Sequence, residues 1–445
     1  MSSRERATPS LAYAWLVVAL LMLAYTLSFL DRQILALLVT DIQADLGISD
    51  TKIGLLQGLA FTIFYTTLGI PIARIADYRN RRNLIAVGVL LWSMMTVLCG
   101  FARNFLNLFA ARMGVGVGEA ALSPAAYSII TDYFPREHLS KALSAYAMGV
   151  YIGGGIAFTV GGYLIVKLAA LDLGGIPILG GMAGWQLAFV CAGLPGIFVA
   201  AAVYLFVREP ERRVGVHTAG SDEHLTIKDA IAYLSQNWRA YLPIYLGFSL
   251  HAVIVFAAFA WLPTQLIREF GFSVQDAGNL MGFSMLVPGC AGVLIGGVVC
   301  DRLLRAGYFD APLILGLVST IGASLPFVVA HLVDVSIGLR TVLVGTSFFF
   351  MAIIAGPAPA AIQLVAPQRM RAQLSAVFLF SINFIGMTLG PLLPAVFSDK
   401  YLDGVGAIGD AMTGIIVIAA IAAATVFLFL RRGYCSLGRA SRDRA

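Results

Sequence analysis

Charge is scarce in this chain: Asp, Glu, Lys and Arg make up only 12% of its 445 residues, against 59% hydrophobic residues and a mean hydropathy of +0.86. A water-soluble globule carries about 25% charged residues, so this chain cannot hide its apolar groups inside one water-soluble core. Cysteine is sparse and scattered. Cys99, Cys191, Cys290, Cys300 and Cys435 form no Cys-x-x-Cys pair and no Cys/His cluster, so neither a disulfide framework nor a metal site is expected. The glycine-rich run from Gly149 to Gly162 lacks phosphate-loop spacing and the Lys-Ser/Thr that would complete it. It is read as close helix packing rather than nucleotide binding. No nucleophile–base pair can be assembled either, which argues against an enzyme, and no cofactor is implied. No Asn-x-Ser/Thr acceptor is present and the loops and tails are short, which points to a prokaryotic protein.

What the chain has instead is long apolar runs. A hydrocarbon core about 30 Å thick needs roughly 20 apolar residues per crossing. Runs of that length recur from Leu11 to Leu430. Helices one to six are expected at 12–39, 52–76, 83–102, 105–132, 139–168 and 184–207, and helices seven to twelve at 241–267, 275–303, 311–332, 339–366, 372–398 and 409–431. The short polar stretch Met1 to Ser10 leads into an apolar run too long for a signal peptide, and no small-residue cleavage site follows, so the first helix is expected to stay. The expected architecture is an all-α membrane protein of twelve transmembrane helices in two pseudo-symmetric six-helix bundles. Residues 1–207 form the first bundle, 208–239 a linker, and 240–445 the second bundle and tail. Within the linker, Ile227, Ile231, Leu234 and Trp238 fall at helical spacing and predict a short amphipathic helix on the inner leaflet.

Two internal echoes support a duplicated unit. Ala73 to Asp77 (ARIAD) parallels Gly297 to Asp301 (GVVCD), and Pro135 to Ala145 parallels Pro367 to Ala376 at a similar offset. The net charge of +6 does not mark a nucleic-acid binder, because the basic residues sit at the ends of apolar spans. Twenty-two of the thirty Lys and Arg fall in the two tails, the linker and the even-to-odd loops. By the positive-inside rule this places both termini in the cytoplasm, and a cell (inner) membrane location follows.

Gly69-x7-Asp77-x3-Arg81-Arg82, its echo at Asp301 and Arg302, and Arg112-x3-Gly116-x-Gly118 resemble the signature motifs of the major facilitator superfamily over nearly the whole chain. Leu30-Asp31-Arg32-Gln33, Gly118-Glu119-Ala120 and Asp132-Tyr-Phe-Pro135 resemble its spinster branch, which includes exporters of lysolipids and sphingoid phosphates. The resemblance implies a secondary transporter working by alternating access. It also implies that Asp77, Arg81, Arg82, Asp301 and Arg302 act as a cytoplasmic gate, whose plainer alternative is topology and solvation. Ala73 stands where the first motif usually has Gly, and the helix-five antiporter motif lacks its Pro. Antiport is therefore less firmly implied than proton coupling.

Asp31 and Arg32 are flanked on both sides by apolar helix-one sequence, and a charge at the centre of a membrane span costs on the order of 2.5–3.5 kcal/mol. Arg112 and Glu119 are seven residues apart on helix four, which places them on one face roughly 10 Å apart along the axis. Depth alone predicts an Asp31–Arg112 pair. The four charges sum to zero, and adding one proton frees a positive charge. Asp31 and Glu119 are the expected proton-coupling residues, and Arg32 and Arg112, with Asp31 and Glu119, the expected substrate contacts. The competing account is a static ion-pair network joining helices one and four.

The second half has no equivalent charges. Phe248, Phe256, Phe259, Phe348, Phe378, Phe380 and Phe384, among others, crowd helices seven, eight, ten and eleven, with His251, Asn279, Gln363 and Asn383 as isolated polar groups. His251 and Asn383 are further candidate substrate contacts, and His251 is equally well explained as a satisfied core histidine. A charged half and an apolar half suit an amphiphilic organic anion, lipid-like, whose transport is coupled to protons, in a monomer amid membrane lipids. The alternatives are a carrier of a compact hydrophilic anion, a lipid scramblase and a membrane sensor.

Overall fold

In the computed structural model, residues 10–169, 181–210, 227–367, 370–404 and 406–442 are described. They are helical nearly throughout, with no strand among them. The first expected helix is α1 (Leu11–Leu37), followed by a short α2 (Val39–Leu46) that ends at Gly47 in the left-handed region, φ 61°. Helix two is divided at Gly58 into α3 (Asp50–Gln57) and α4 (Leu59–Tyr78). α5 (Arg81–Cys99) and α6 (Phe105–Glu119) each start at an asparagine, Asn80 and Asn104, whose side chain accepts a backbone N–H three residues on. These caps stand where the polar breaks between apolar runs predict helix starts.

Helix four breaks just after Glu119 and resumes as α7 (Leu122–Tyr133), and helix five divides into α8 (Arg136–Ala147) and α9 (Gly149–Ala169). α10 (Gly184–Phe206) is the sixth span. α11 (Ile227–Gln236) falls where the amphipathic linker helix is expected; residues 211–226 of the linker lie outside the described residues.

The second half runs through α12 (Trp238–Leu242), α13 (Phe248–Arg268), α14 (Val274–Ser284), α15 (Cys290–Arg305), α16 (Ala311–Leu332), α17 (Ile337–Ala352), α18 (Pro357–Val365), α19 (Arg371–Ser381), α20 (Met387–Tyr401) and α21 (Ala407–Arg442). π-helical turns at Pro243–Gly247, Met285–Gly289 and Ile382–Gly386 interrupt three of its long helices. α21 extends past the expected end of helix twelve. The buried Tyr434 donates its hydroxyl to the Ala361 carbonyl at 3.0 Å, and Arg431 pairs with Asp310 at 2.7 Å, which ties this extension down. Eleven helices among the described residues are long and apolar enough to cross a membrane. The chain is an all-α multi-pass membrane protein.

Contacts divide the chain into two compact units. One holds residues 1–34, 63–154 and 168–219, and the other holds 35–62, 155–167 and 220–445. In the first, α5 packs along α6 and α10. The backbones of α5 and α6 touch where glycines face each other. A Cβ on Gly118 would lie 2.6 Å from the Trp92 backbone nitrogen, and one on Gly88 would lie 2.8 Å from the Gly118 carbonyl. That approach seats Glu119, the next residue. α9 lies on α1 in the same way, with Gly153 against the Thr26 carbonyl and Gly149 against Met22. Close helix packing is therefore what these glycines do.

Gly118→Val must force α5 and α6 apart, and overpacking of this kind costs about 1–3 kcal/mol. A lowered melting midpoint of the detergent-solubilised protein, followed by size-exclusion fluorescence, is expected. Gly338→Val, where a Cβ meets open space, should leave the midpoint unchanged.

Candidate functional site

Asp31 and Arg32 are neighbours on α1, so their side chains leave the helix about 100° apart and meet different partners. Arg112 and Glu119, two turns apart on α6, meet α1 at two levels. Glu119 takes Arg32: Oε2 accepts from Arg32 Nε at 2.7 Å and lies 2.5 Å from its terminal nitrogen, and Ser28 donates to the same oxygen at 2.5 Å. Arg112 reaches the backbone carbonyl of Asp31 at 3.2 Å, while the Asp31 carboxylate accepts from Thr96 of α5 at 2.9 Å.

Arg112 thus meets Asp31 at its main chain, and Arg32 and Glu119 form a carboxylate–guanidinium pair. Depth along two helices does not say which side of α1 faces α6, and that facing decides the partner. Asp31, Arg112 and Glu119 are each at most 2% exposed, and the Arg32 side chain is 12% exposed. Oδ1 of Asp31 and Oε1 of Glu119 are buried with no hydrogen-bond partner. Each carboxylate therefore has a vacant acceptor where desolvation is costly.

Sequence reasoning missed the aromatic walls of this site. The Arg32 guanidinium lies 4.9 Å from the Phe29 ring centroid and 4.7 Å from that of Tyr65 on α4, within cation–π range. Tyr25 continues the wall, edge-on to Phe29 at 5.5 Å and stacked on Tyr146 of α8 at 4.7 Å. Tyr127 of α7 meets Tyr146 at 5.3 Å, and Ser123 shares a 3.3 Å hydrogen bond with the Tyr146 hydroxyl. One signal was available: Tyr25, Phe29 and Arg32 recur at helical spacing on α1. Nothing in the sequence places Tyr65, Tyr146 or Thr96 beside them.

His251 is 0% exposed, with Nδ1 3.1 Å from the Thr320 hydroxyl and Nε2 3.4 Å from the Met351 carbonyl. Both ring nitrogens are engaged by the core between α13, α16 and α17. Asn383 is half-buried in the π-helical turn Ile382–Gly386, and Gln363 donates to Ser375 at 3.0 Å. The phenylalanines divide: Phe248, Phe348 and Phe378 are buried, whereas Phe380 and Phe384, stacked at 5.4 Å, and Phe256 and Phe259 keep partly open faces.

Of the residues expected at the gate, Arg81 is the most engaged. It is buried, and it donates to Glu209 at 2.7 Å, Ser128 at 2.7 Å, Asp132 at 2.5 Å and the Pro210 carbonyl at 3.2 Å. It thereby ties the start of α5 to α7 and to the end of α10. The Arg82 main chain donates to Glu209 at 3.0 Å, and its guanidinium covers Tyr204 at 4.9 Å. Asp301 and Arg302 are exposed near the end of α15, and the Asp77 side chain lies outside the described residues. Arg81→Gln withdraws a charged donor from two carboxylates, and breaking such a buried pair costs about 3 kcal/mol. A clear fall in the melting midpoint is expected for Arg81→Gln. Arg82→Gln, which loses a cation–π contact of about 0.5–1 kcal/mol, should shift it much less.

Comparison with known proteins places this geometry. The family model of the Major Facilitator Superfamily matches residues 21–391. A solved bacterial homologue of the human lysosomal transporter Spinster, inward-facing and unoccupied, superposes with a TM-score of 0.83 at 26% identity, covering 96% of this chain and 99% of that one. An MFS-type efflux pump of Mycolicibacterium smegmatis is 28% identical over 92% of this chain and 90% of its own length. A probable L-galactonate transporter of Escherichia coli is 27% identical over 65% of this chain and 62% of its own length. With buried charges on helices one and four, eleven apolar spans among the described residues and this match along most of its length, the chain belongs to the Major Facilitator Superfamily and is a membrane transporter resembling the spinster proteins.

Proposed function

We propose that this transporter carries an amphiphilic organic anion, lipid-like, coupled to protons, by alternating access, in a cell (inner) membrane with both termini cytoplasmic. The observation that carries the proposal is the state of Arg32. Its guanidinium is held by Glu119, flanked by Phe29 and Tyr65, and still partly exposed at 12%. An anionic head group presents acceptor oxygens to the guanidinium as Glu119 does and competes for the same fork of donors. Protonation of Glu119 removes the competitor. Asp31, with one vacant oxygen beside the same network, is the second proton carrier. Ionisable groups within a membrane span are functional by default, because a purely structural role is served more cheaply by apolar packing.

The partly open faces of Phe256, Phe259, Phe380 and Phe384 support an apolar tail. The hydroxyls of Tyr25, Tyr127, Tyr146 and Ser123 near Arg32 favour a second reading, a compact polyhydroxylated acid of the kind named for the Escherichia coli relative. His251 is left out of the binding set, since both of its ring nitrogens are engaged within the core. Arg81 and Arg82 act as a clamp at the cytoplasmic end of the first unit, with Asp77, Asp301 and Arg302 as the rest of the gate.

Reconstituted vesicles with and without an imposed pH gradient test both readings, with radiolabelled lysophosphatidate and L-galactonate as probes. Gradient-driven transport of lysophosphatidate is expected, and transport of galactonate alone would favour the second reading. Asp31→Asn and Glu119→Gln are expected to remove the gradient dependence; if both variants keep it, the coupling scheme is wrong. Arg32→Lys keeps the charge but loses the planar fork and the stacking, and should lower transport about tenfold.

A further inference from the structure

α3 and α20 belong to different halves of the sequence, yet both lie in the second compact unit, and their meeting has the form of a lock. α3 opens without a side-chain cap from Ser49. Its free N-terminal N–H groups are capped instead from α20: the Asp399 carboxylate accepts from the main-chain nitrogens of Asp50 at 3.2 Å and Thr51 at 2.7 Å. A carboxylate there satisfies orphan donors and complements the positive end of the helix.

The Asp50 side chain adds a second set of bonds. One oxygen accepts from Ser398 at 3.0 Å, and the other from Arg268 of α13 at 3.2 Å and from Gln43 of α2 at 2.9 Å; Arg268 also donates to Gln43. Beneath this polar set the two helices touch main chain to main chain. A Cβ on Gly54 would lie 2.8 Å from that of Ala395 and 2.9 Å from the Pro391 carbonyl, and one on Gly58 would lie 2.9 Å from the Met387 carbonyl. A parallel seam joins α9 and α14, where a Cβ on Gly162 would lie 3.0 Å from the Val274 carbonyl and one on Gly282 would lie 2.7 Å from that of Gly155.

We propose that Asp399, Asp50, Ser398 and Arg268 form the latch that shuts the end of the transporter opposite its termini. The two glycine seams are the surfaces that part when it opens. This inference rests on the alternating-access reading, which requires segments of the first six helices to leave those of the last six at one end in one state. Seams of glycine and carbonyl separate without stranding a side-chain charge, so the ionic cap is the element that biases the equilibrium. Charge-assisted hydrogen bonds of this number are sufficient to hold one of two nearly balanced states.

The test uses the full chain in right-side-out vesicles, without any substrate, so that an error in the substrate assignment leaves the readout untouched. In a background with the five native cysteines replaced, Ala395→Cys places a thiol in the α3–α20 seam, buried while the seam is closed. Asp399→Asn and Arg268→Gln are each expected to raise its labelling rate by a membrane-impermeant maleimide about fivefold. Arg431→Gln, which breaks the Arg431–Asp310 pair elsewhere, should not raise it. Unchanged labelling in both latch variants, or an equal rise in the Arg431 variant, would overturn the assignment. Each variant's size-exclusion profile and melting midpoint separate opening from unfolding, and the second latch variant keeps the test decisive if the first does not fold.

Discussion

Placing Arg32 and Glu119 in a low-dielectric interior is the constraint around which the first unit is organised. Removing either charge from water costs several kcal/mol, and only a short, well-aligned contact with further hydrogen bonds compensates. Ser28 supplies such a hydrogen bond to the carboxylate, and the rings of Phe29 and Tyr65 add cation–π contacts to the guanidinium. The gain of such a pair depends on both partners staying charged.

Glycine sets how close the helices carrying these charges come. Gly88 and Gly118 bring α5 and α6 into main-chain contact, which delivers Glu119 to α1 and Thr96 to Asp31. The same device recurs in the second unit at Gly54, Gly58, Gly162 and Gly282, where it brings together segments distant in sequence. Helix association in a membrane gains little from the hydrophobic effect, so close packing by small residues carries much of it. Interfaces of this kind make and break without leaving unsatisfied groups in lipid.

The halves use their polar groups differently. The first sets four ionisable groups deep on α1 and α6. The second has π-helical turns at Pro243–Gly247, Met285–Gly289 and Ile382–Gly386, phenylalanines that are partly core and partly open, and a histidine absorbed into the core. Both halves are helical through the described residues, and the charges set deep on helices one and four stand in the first of them.

Apolar run length, basic-residue asymmetry and the two internal echoes were legible in the sequence, because lipid requires every crossing to be long, apolar and helical. The four buried charges were legible for the same reason: a charge inside a twenty-residue apolar run stands out. Their pairing was not. Arg32 pairs with Glu119, and Arg112 reaches the Asp31 main chain, because the facing of α1 and α6, which their spacing along the chain does not specify, sets the partners. The tyrosine wall, the burial of His251 and the lock at Asp50 and Asp399 join residues tens to hundreds of positions apart. Local pattern determines which segments are helices and where they cross lipid; which faces meet is decided by packing between helices, and only the tertiary structure holds that information.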